Sequence, residues 1–298
     1  VRKYGPPNSI LQHRPAASTF QPQSDRVAPP FLLLPRDTAG DPMLILISND
    51  DGIDSPGLHA LRQIGEELAG EGGEVWVSAP EQNHSGAGHS LSLNEPVRIR
   101  RVDERAFAVR GTPTDSVIMG IHHVLKGRRP DLILSGINRG SNLAEDVTYS
   151  GTIAACLEGT LLGIRSVALS QAFGPESKPM PKWQTPLAHA PGIIAKLLKL
   201  EWAPSTLYSI NFPDVEPGDV AGVEVTIQGR RDQGLLSLDE RRDTWGNPYF
   251  WLAYRRSRSQ APVGTDLWAI QNGRISVTPL CMDLSYRAGL EAARKVLG

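Results

Sequence analysis

The chain has 298 residues, 40% of them hydrophobic and 21% charged, enough for one or two ordinary domains around a buried core. Thirty-one Lys and Arg against 32 Asp and Glu give a net charge of −1, which excludes a global basic field for holding a nucleic acid polymer. The longest apolar runs fall well short of the roughly 20 residues of a membrane span, and two cysteines, Cys156 and Cys281, make neither a disulfide framework nor a four-thiolate zinc site, so the expectation is a cytoplasmic protein away from the membrane.

Residues 1–42 carry eight prolines and no sustained hydrophobic period. Such a segment buries too little apolar surface to offset its ordering entropy and is predicted to be disordered. The alternatives are an organellar transit peptide, or a stretch that is not native, with Met43 as the natural start. From residue 43 onward, strand and helix alternate. Residues 43–48 (MLILIS) are an almost wholly apolar strand of the kind found inside a parallel sheet, and 56–69 place Leu58, Leu61, Ile64 and Leu68 at helical spacing. Residues 74–79 are the next strand. The run 96–102 is strand-like, with 107–109 as an antiparallel partner, and a helix is expected over 114–125, capped by Thr114 or Asp115. Strand 131–135, helix 152–162, strand 166–170, helix 186–200 and strand 206–211 complete the alternation. The pattern predicts an α/β fold, a Rossmann-like, doubly wound and mostly parallel sheet. After Val220, strand-like runs at 223–227, 249–254 and 275–278 suggest a β-rich excursion.

Ligands of open α/β sheets bind beyond the carboxyl ends of the strands. Three loops at such ends stand out. Asn49-Asp50-Asp51-Gly52 follows the first strand, and its adjacent carboxylates repel unless something offsets the charge; the segment reads either as a turn or as half of a cation site. Residues 81–90 (EQNHSGAGHS) supply hydroxyls, histidines and glycines, and read either as a solvated loop or as part of a site. Residues 135–142 (SGINRGSN) offer the Asn138 amide oxygen between tight turns. Three loops converging on one sheet edge favour the cation. Carboxylate, hydroxyl and amide oxygens are hard donors, which points to Mg²⁺ or Mn²⁺ rather than Zn²⁺. Ser150-Gly151-Thr152 and Gly111-Thr112-Pro113-Thr114-Asp115 each lead into a helix, either as plain caps or as donors to a phosphate. No G-x-G-x-x-G or Walker loop is present.

These residues resemble the SurE family of survival-protein phosphatases, the 5'/3'-nucleotidases. The matching pieces are ILISNDDGIDSPG (45–57), SAPEQNHSGAGHSLS (78–92), GTPTDSV (111–117), DLILSGINRGSNLAEDVTYSGTIAACLEG (131–159), INFP (210–213), WGNPYFWL (245–252) and GTDLWAIQNGRISVTPL (264–280). They span essentially all of 43–298, which the resemblance makes one phosphatase domain. It implies Asp50, Asp51, Ser85 and Asn138 as the ligands of one divalent metal per subunit. It also implies a metal-dependent phosphomonoesterase acting on nucleoside 5'- and 3'-monophosphates, and on short-chain polyphosphate. Homodimers or homotetramers are implied too, built through a protruding hairpin at roughly 228–256 and an exchanged C-terminal segment at 257–298. In the expected mechanism Asp50 and Asp51 are catalytic, and Asn49, Gly111, Thr112, Ser150, Gly151 and Thr152 cradle the phosphate. Water attack is favoured over an aspartyl-phosphate route, because Asp50 is followed directly by Asp51 and the D-x-D arrangement is absent. The alternative function is a non-catalytic nucleotide-binding module. Trp245, Tyr249, Phe250 and Trp251 are expected to pack in the core or at a subunit interface in preference to stacking on a base.

Overall fold

A computed structural model describes residues 42–231, 236–254 and 260–298. Apart from Pro42, the expected disordered extension lies outside the described residues. The chain opens with β1 (Leu44–Ser48), α1 (Pro56–Ala69), β2 (Glu74–Pro80), β3 (Arg98–Arg101) and β4 (Ala106–Arg110). It continues through α2 (Pro113–Met119), β5 (Leu132–Arg139), α3 (Gly151–Leu161), β6 (Arg165–Gln171), α4 (Gln184–Leu197) and β7 (Thr206–Phe212). The remainder is β8 (Val223–Val225), β9 (Leu236–Arg242), β10 (Pro248–Tyr254), α5 (Asp266–Gln271), β11 (Ile275–Cys281) and α6 (Arg287–Leu297).

Nine strands form one sheet in the order β3-β4-β2-β1-β5-β6-β7-β11-β8. The pairs β3–β4 and β7–β11 are antiparallel and the other neighbours parallel. β1 is central because it can be nothing else. Every one of its residues is apolar or small, and all are buried, so it needs cover on both faces. Each fully buried Leu or Ile here contributes about 1.5–3 kcal/mol. Ile45 and Ile47 face the layer of α1 and α4, packing with Leu58, Leu61 and Ile194. Leu44 and Leu46 face α2 and α3, packing with Val117, Ile121 and Ala155. The chain winds outward from β1 through β2 to β4 and β3, then returns to place β5 on the other side of β1. That reversal opens a crevice at the carboxyl ends of β1 and β5, the position such folds use for ligands.

Two local expectations change. The helix expected over 114–125 begins at Pro113 and is capped by Thr112, and it gives way to a π-helical turn at Gly120–Val124. Pro113 at the first helical position loses no hydrogen bond, which places the cap at Thr112 in front of it, and Asp115 becomes the reciprocal partner of Thr112. The C-terminal region is not β throughout. Among the described residues β9 and β10 pair only with each other, while α5 and α6 are helices that strand-like runs did not disclose. Among the described residues, no helix is long and apolar enough to cross a membrane.

Candidate active site

The site begins where β1 ends. Asn49 Nδ2 donates to the Gly52 carbonyl and to Ser55 Oγ, both at 2.8 Å, while its Oδ1 accepts from Gly52 N–H at 3.3 Å. The buried Asn49 side chain therefore folds the turn, so its amide is engaged there and not free to bind a phosphate. Gly52 sits at φ +102°, and a Cβ there would lie 3.2 Å from the Gln82 carbonyl carbon. Only glycine lets the first loop close onto the second at this point. The two loops are further joined by His84 N–H, which donates to the Asp50 carbonyl at 2.8 Å.

Asp50 is 4% exposed, and its Oδ1 accepts from Thr152 Oγ1 at 2.5 Å. Asp51 Oδ2 accepts from Arg139 N–H at 2.9 Å, and its Oδ1 from Asn83 Nδ2 at 3.4 Å. Asn83 Oδ1 in turn accepts from Ser85 N–H at 2.8 Å. The ends of β1 and β5 and the 81–90 loop are thus tied through Asp51 and Asn83. Asn138 Nδ2 donates to the Gly140 carbonyl at 2.8 Å. Among the described residues no hydrogen bond uses Asn138 Oδ1 or Ser85 Oγ, which leaves both oxygens available to a ligand.

The second wall is the start of α3. Ser150 Oγ caps it by accepting from Ile153 N–H at 3.1 Å. A Cβ on Gly151 would lie 2.6 Å from Asp50 Cβ and 2.9 Å from Pro113 Cγ, so Asp50 and the starts of α2 and α3 meet at this glycine. The N–H groups of Gly151 and Thr152 lie in the first turn, where a helix has no acceptor of its own and carries partial positive charge. Thr112 Oγ1 donates to the Ser90 carbonyl at 2.8 Å and accepts from Asp115 N–H at 3.1 Å, while Thr112 N–H goes to Asp115 Oδ2 at 2.8 Å. These bonds pin the second loop to α2, beside Gly111. Of the residues expected to cradle a phosphate, Gly151 lies against Asp50 and Thr152 also donates its backbone N–H to the Asp50 carboxyl, while the side chains of Asn49, Thr112, Ser150 and Thr152 are engaged in building the walls. Asn83, the Arg139 backbone and the Thr152–Asp50 bond are organising features that the sequence reading did not single out.

Burial pushes the Asp50 carboxyl up to about 6, the neighbouring Asp51 adds to the rise, and the Thr152 hydrogen bond opposes it. Asp51 is also pushed up by burial, against the Arg139 N–H and guanidinium. Adjacent carboxylates held in this state favour a cation, and the available donors are all hard oxygens. The arrangement fits Mg²⁺ or Mn²⁺, with Asp50, Asp51, Ser85 and Asn138 as the groups able to hold it. A cavity of about 700 Å³ opens beside Asp51.

Residues 45–234 match the family model described as survival protein SurE. A protein named 5'-nucleotidase SurE from Methylorubrum populi is 55% identical over 243 residues, covering 82% of this chain and 94% of that one. One of the same name from Methylobacterium nodulans is 53% identical over 256 residues, covering 86% of this chain and all of its own length. The crystal structure of the SurE protein from Aquifex aeolicus superposes with a TM-score of 0.74 at 37% identity, covering 86% of this chain and 100% of its own.

Proposed function

This chain belongs to the SurE family of survival proteins, and from that premise we propose that it is a metal-dependent phosphomonoesterase hydrolysing nucleoside 5'- and 3'-monophosphates to nucleoside and phosphate, with short-chain polyphosphate as a further substrate. The observation that carries this reading is the meeting of buried Asp50, with half-buried Asp51 beside it in the chain, and a helix N-terminus at Gly151. One wall attracts a cation and the other an anion, and a phosphate with its counter-cation satisfies both.

Asp50, Asp51, Ser85 Oγ and Asn138 Oδ1 would hold one Mg²⁺ or Mn²⁺ per subunit. When bound, the ion supplies Lewis-acid polarisation of the phosphoryl oxygens and a water of lowered pKa. The Gly151 N–H takes up negative charge on the phosphoryl oxygens, aided by the α3 dipole, while the Thr152 N–H is turned to the Asp50 carboxyl. Thr152 Oγ1 fixes the rotamer of Asp50, and Arg139 N–H fixes that of Asp51. A carboxylate of the pair accepts the proton of the attacking water as its oxygen bonds to phosphorus. The bond from phosphorus to the ribose oxygen breaks, and that oxygen leaves with a proton from solvent.

The test is phosphate release from a panel of 5'- and 3'-nucleoside monophosphates. The expected result is turnover that falls at least about a hundredfold in EDTA and returns with Mg²⁺ or Mn²⁺. Nucleotide binding without phosphate release contradicts the enzyme reading and favours a non-catalytic nucleotide-binding module.

We also propose assembly as a homodimer or homotetramer through the β9–β10 hairpin and the C-terminal segment. Trp245, Tyr249, Phe250 and Trp251 do not pack in the core of the chain; all four are exposed. By strand alternation Tyr249 and Trp251 lie on one face of the ribbon, and Phe250 and Leu252 on the other. A two-stranded ribbon with apolar residues on both faces is not stable by itself and needs cover from another surface. In α6, Leu290, Val296 and Leu297 are likewise exposed.

A further inference from the structure

The edge of the sheet formed by β3 and β4 is rich in arginines. Most of them are matched. Arg100 Nε and Nη2 donate to Glu81 Oε1 at 3.2 and 3.1 Å, and Arg101 Nε and Nη2 to the carbonyls of Asp103 and Glu104 at 2.8 and 3.2 Å. Arg105 lies over the Trp76 ring at 5.9 Å, and Arg62 donates to Asp103 Oδ2 at 2.8 Å. Two are not matched. Among the described residues the side chains of Arg98 and Arg110 make no hydrogen bond or ion pair, and both residues are exposed.

Those two face each other. Arg98 and Arg110 are register partners in the antiparallel β3–β4 pair, which puts their Cβ atoms about 4.5–5.5 Å apart on one face of the sheet. Like charges directly opposite destabilise such a pair, and an anion between them removes that cost. The pair also stands at the carboxyl edge. β3 begins at Arg98, and β4 ends at Arg110, directly before Gly111 and Thr112 lead into α2. By alternation Arg98, Arg100 and Arg110 share the face of Ala106 and Ala108, which is the α1 face. Arg100 shows how far a side chain reaches from there: starting on β3, it crosses β4 to Glu81, just past the end of β2. The same two-strand span from Arg110, on β4, ends at β1, whose exit carries Asp50 against Gly151.

We propose that Arg98 and Arg110 hold a second phosphate group of the substrate, which makes them specificity-determining residues for doubly phosphorylated compounds. This deepens the phosphomonoesterase reading above and rests on it. A guanidinium presents its N–H donors in a planar fork that matches two phosphate oxygens, and two such forks face a dianion from both sides. The reacting phosphate stays at Gly151. The water oxygen bonds to phosphorus, the bond from phosphorus to the bridging oxygen breaks, and that oxygen leaves with a proton. The second phosphate departs uncleaved on the product. Its source is the ribose of a nucleoside 3',5'-bisphosphate or a further unit of a phosphoanhydride chain, and the chemistry that recognises it is the same.

The test measures kcat/KM for adenosine 3',5'-bisphosphate and for inorganic tripolyphosphate, each divided by that for AMP. In the double variant Arg98→Gln, Arg110→Gln at least one ratio is expected to fall about tenfold, with AMP turnover within twofold of the parent. A fall confined to the bisphosphate places the second phosphate on the ribose; one confined to tripolyphosphate places it along the chain. Arg101→Gln removes the same charge from the same strand on the opposite face, and is expected to leave both ratios unchanged. Both ratios within twofold of the parent in the double variant overturn the proposal, as does a parent that turns over AMP alone. An equal fall in Arg101→Gln also overturns it, and assigns the effect to the general field of the edge. A parent that releases no phosphate from any of the three contradicts the phosphomonoesterase reading instead. Calorimetric titration of the metal-free, full-length protein with the bisphosphate then decides the arginine pair: binding about tenfold weaker in the double variant supports it, and equal binding overturns it.

Discussion

Asp50→Asn is expected to lower kcat/KM for a nucleoside monophosphate by at least about a hundredfold, yet to raise the Tm of the metal-free protein at pH 8 by about 3–6 °C. The two effects have one cause. Asp50 is almost fully buried, and burial with Asp51 alongside lifts its carboxyl from the ordinary 3.8 to about 6. A carboxyl whose folded value is raised contributes stability below its unfolded value. That contribution is lost as the pH climbs through about 6, so at pH 8 the metal-free protein carries a penalty of about 3 kcal/mol. Asparagine removes the charge and keeps an oxygen to accept from Thr152 Oγ1. Its amide nitrogen needs a new partner, which returns about 1–2 kcal/mol of the gain.

Mn²⁺ should reverse the order of stability. At a hundred times its dissociation constant a ligand stabilises by about 2.7 kcal/mol, and this increment is expected in the parent and absent in Asp50→Asn. Scanning calorimetry between pH 4 and 8, with and without Mn²⁺, checks both parts. A metal-free variant less stable than the parent at pH 8 contradicts the buried-carboxylate account, and a variant retaining parental turnover contradicts the catalytic one.

Trp251→Lys is the second large effect. Trp251 is 58% exposed on a ribbon that pairs with no other strand among the described residues. Buried tryptophans at interfaces commonly contribute about 2–4 kcal/mol, which is roughly thirty- to a thousandfold in dissociation constant. Sedimentation velocity at micromolar protein is therefore expected to show the parent as a dimer or tetramer and the variant shifted toward monomer. Relative turnover of AMP, GMP, CMP and UMP should be unchanged. An unaltered assembly with an altered base preference would place the hairpin aromatics on the nucleobase instead.

The sheet was largely legible because its central strands are continuous apolar runs, a signal that depends on local composition alone. β1, β2, β5, β6 and β7 all fall where the runs predicted them, with ends moved by a few residues. The loops of the site were legible for a related reason, since strand ends in such a fold converge by topology. What escaped was set by contacts distant in sequence. Nothing near Thr152 shows that its hydroxyl goes to Asp50, 102 residues earlier. Asn49 and Thr112 look like phosphate donors in isolation and prove to be committed to a turn and a cap. Asn83 had a local signal, an amide two residues before Ser85, the spacing of an Asx turn. α6 went unseen because its apolar side chains Leu290, Val296 and Leu297 stand exposed among the described residues, so nothing in the sheet pattern called for it.

The most direct measurement is an anomalous difference map from crystals of the full-length protein grown with MnCl₂. A single peak at roughly 2.0–2.3 Å from carboxylate oxygens of Asp50 and Asp51, Asn138 Oδ1 and Ser85 Oγ is the predicted result. A map with no peak among these four groups, or with manganese bound elsewhere while the carboxylate pair stands alone, contradicts the site and the chemistry built on it.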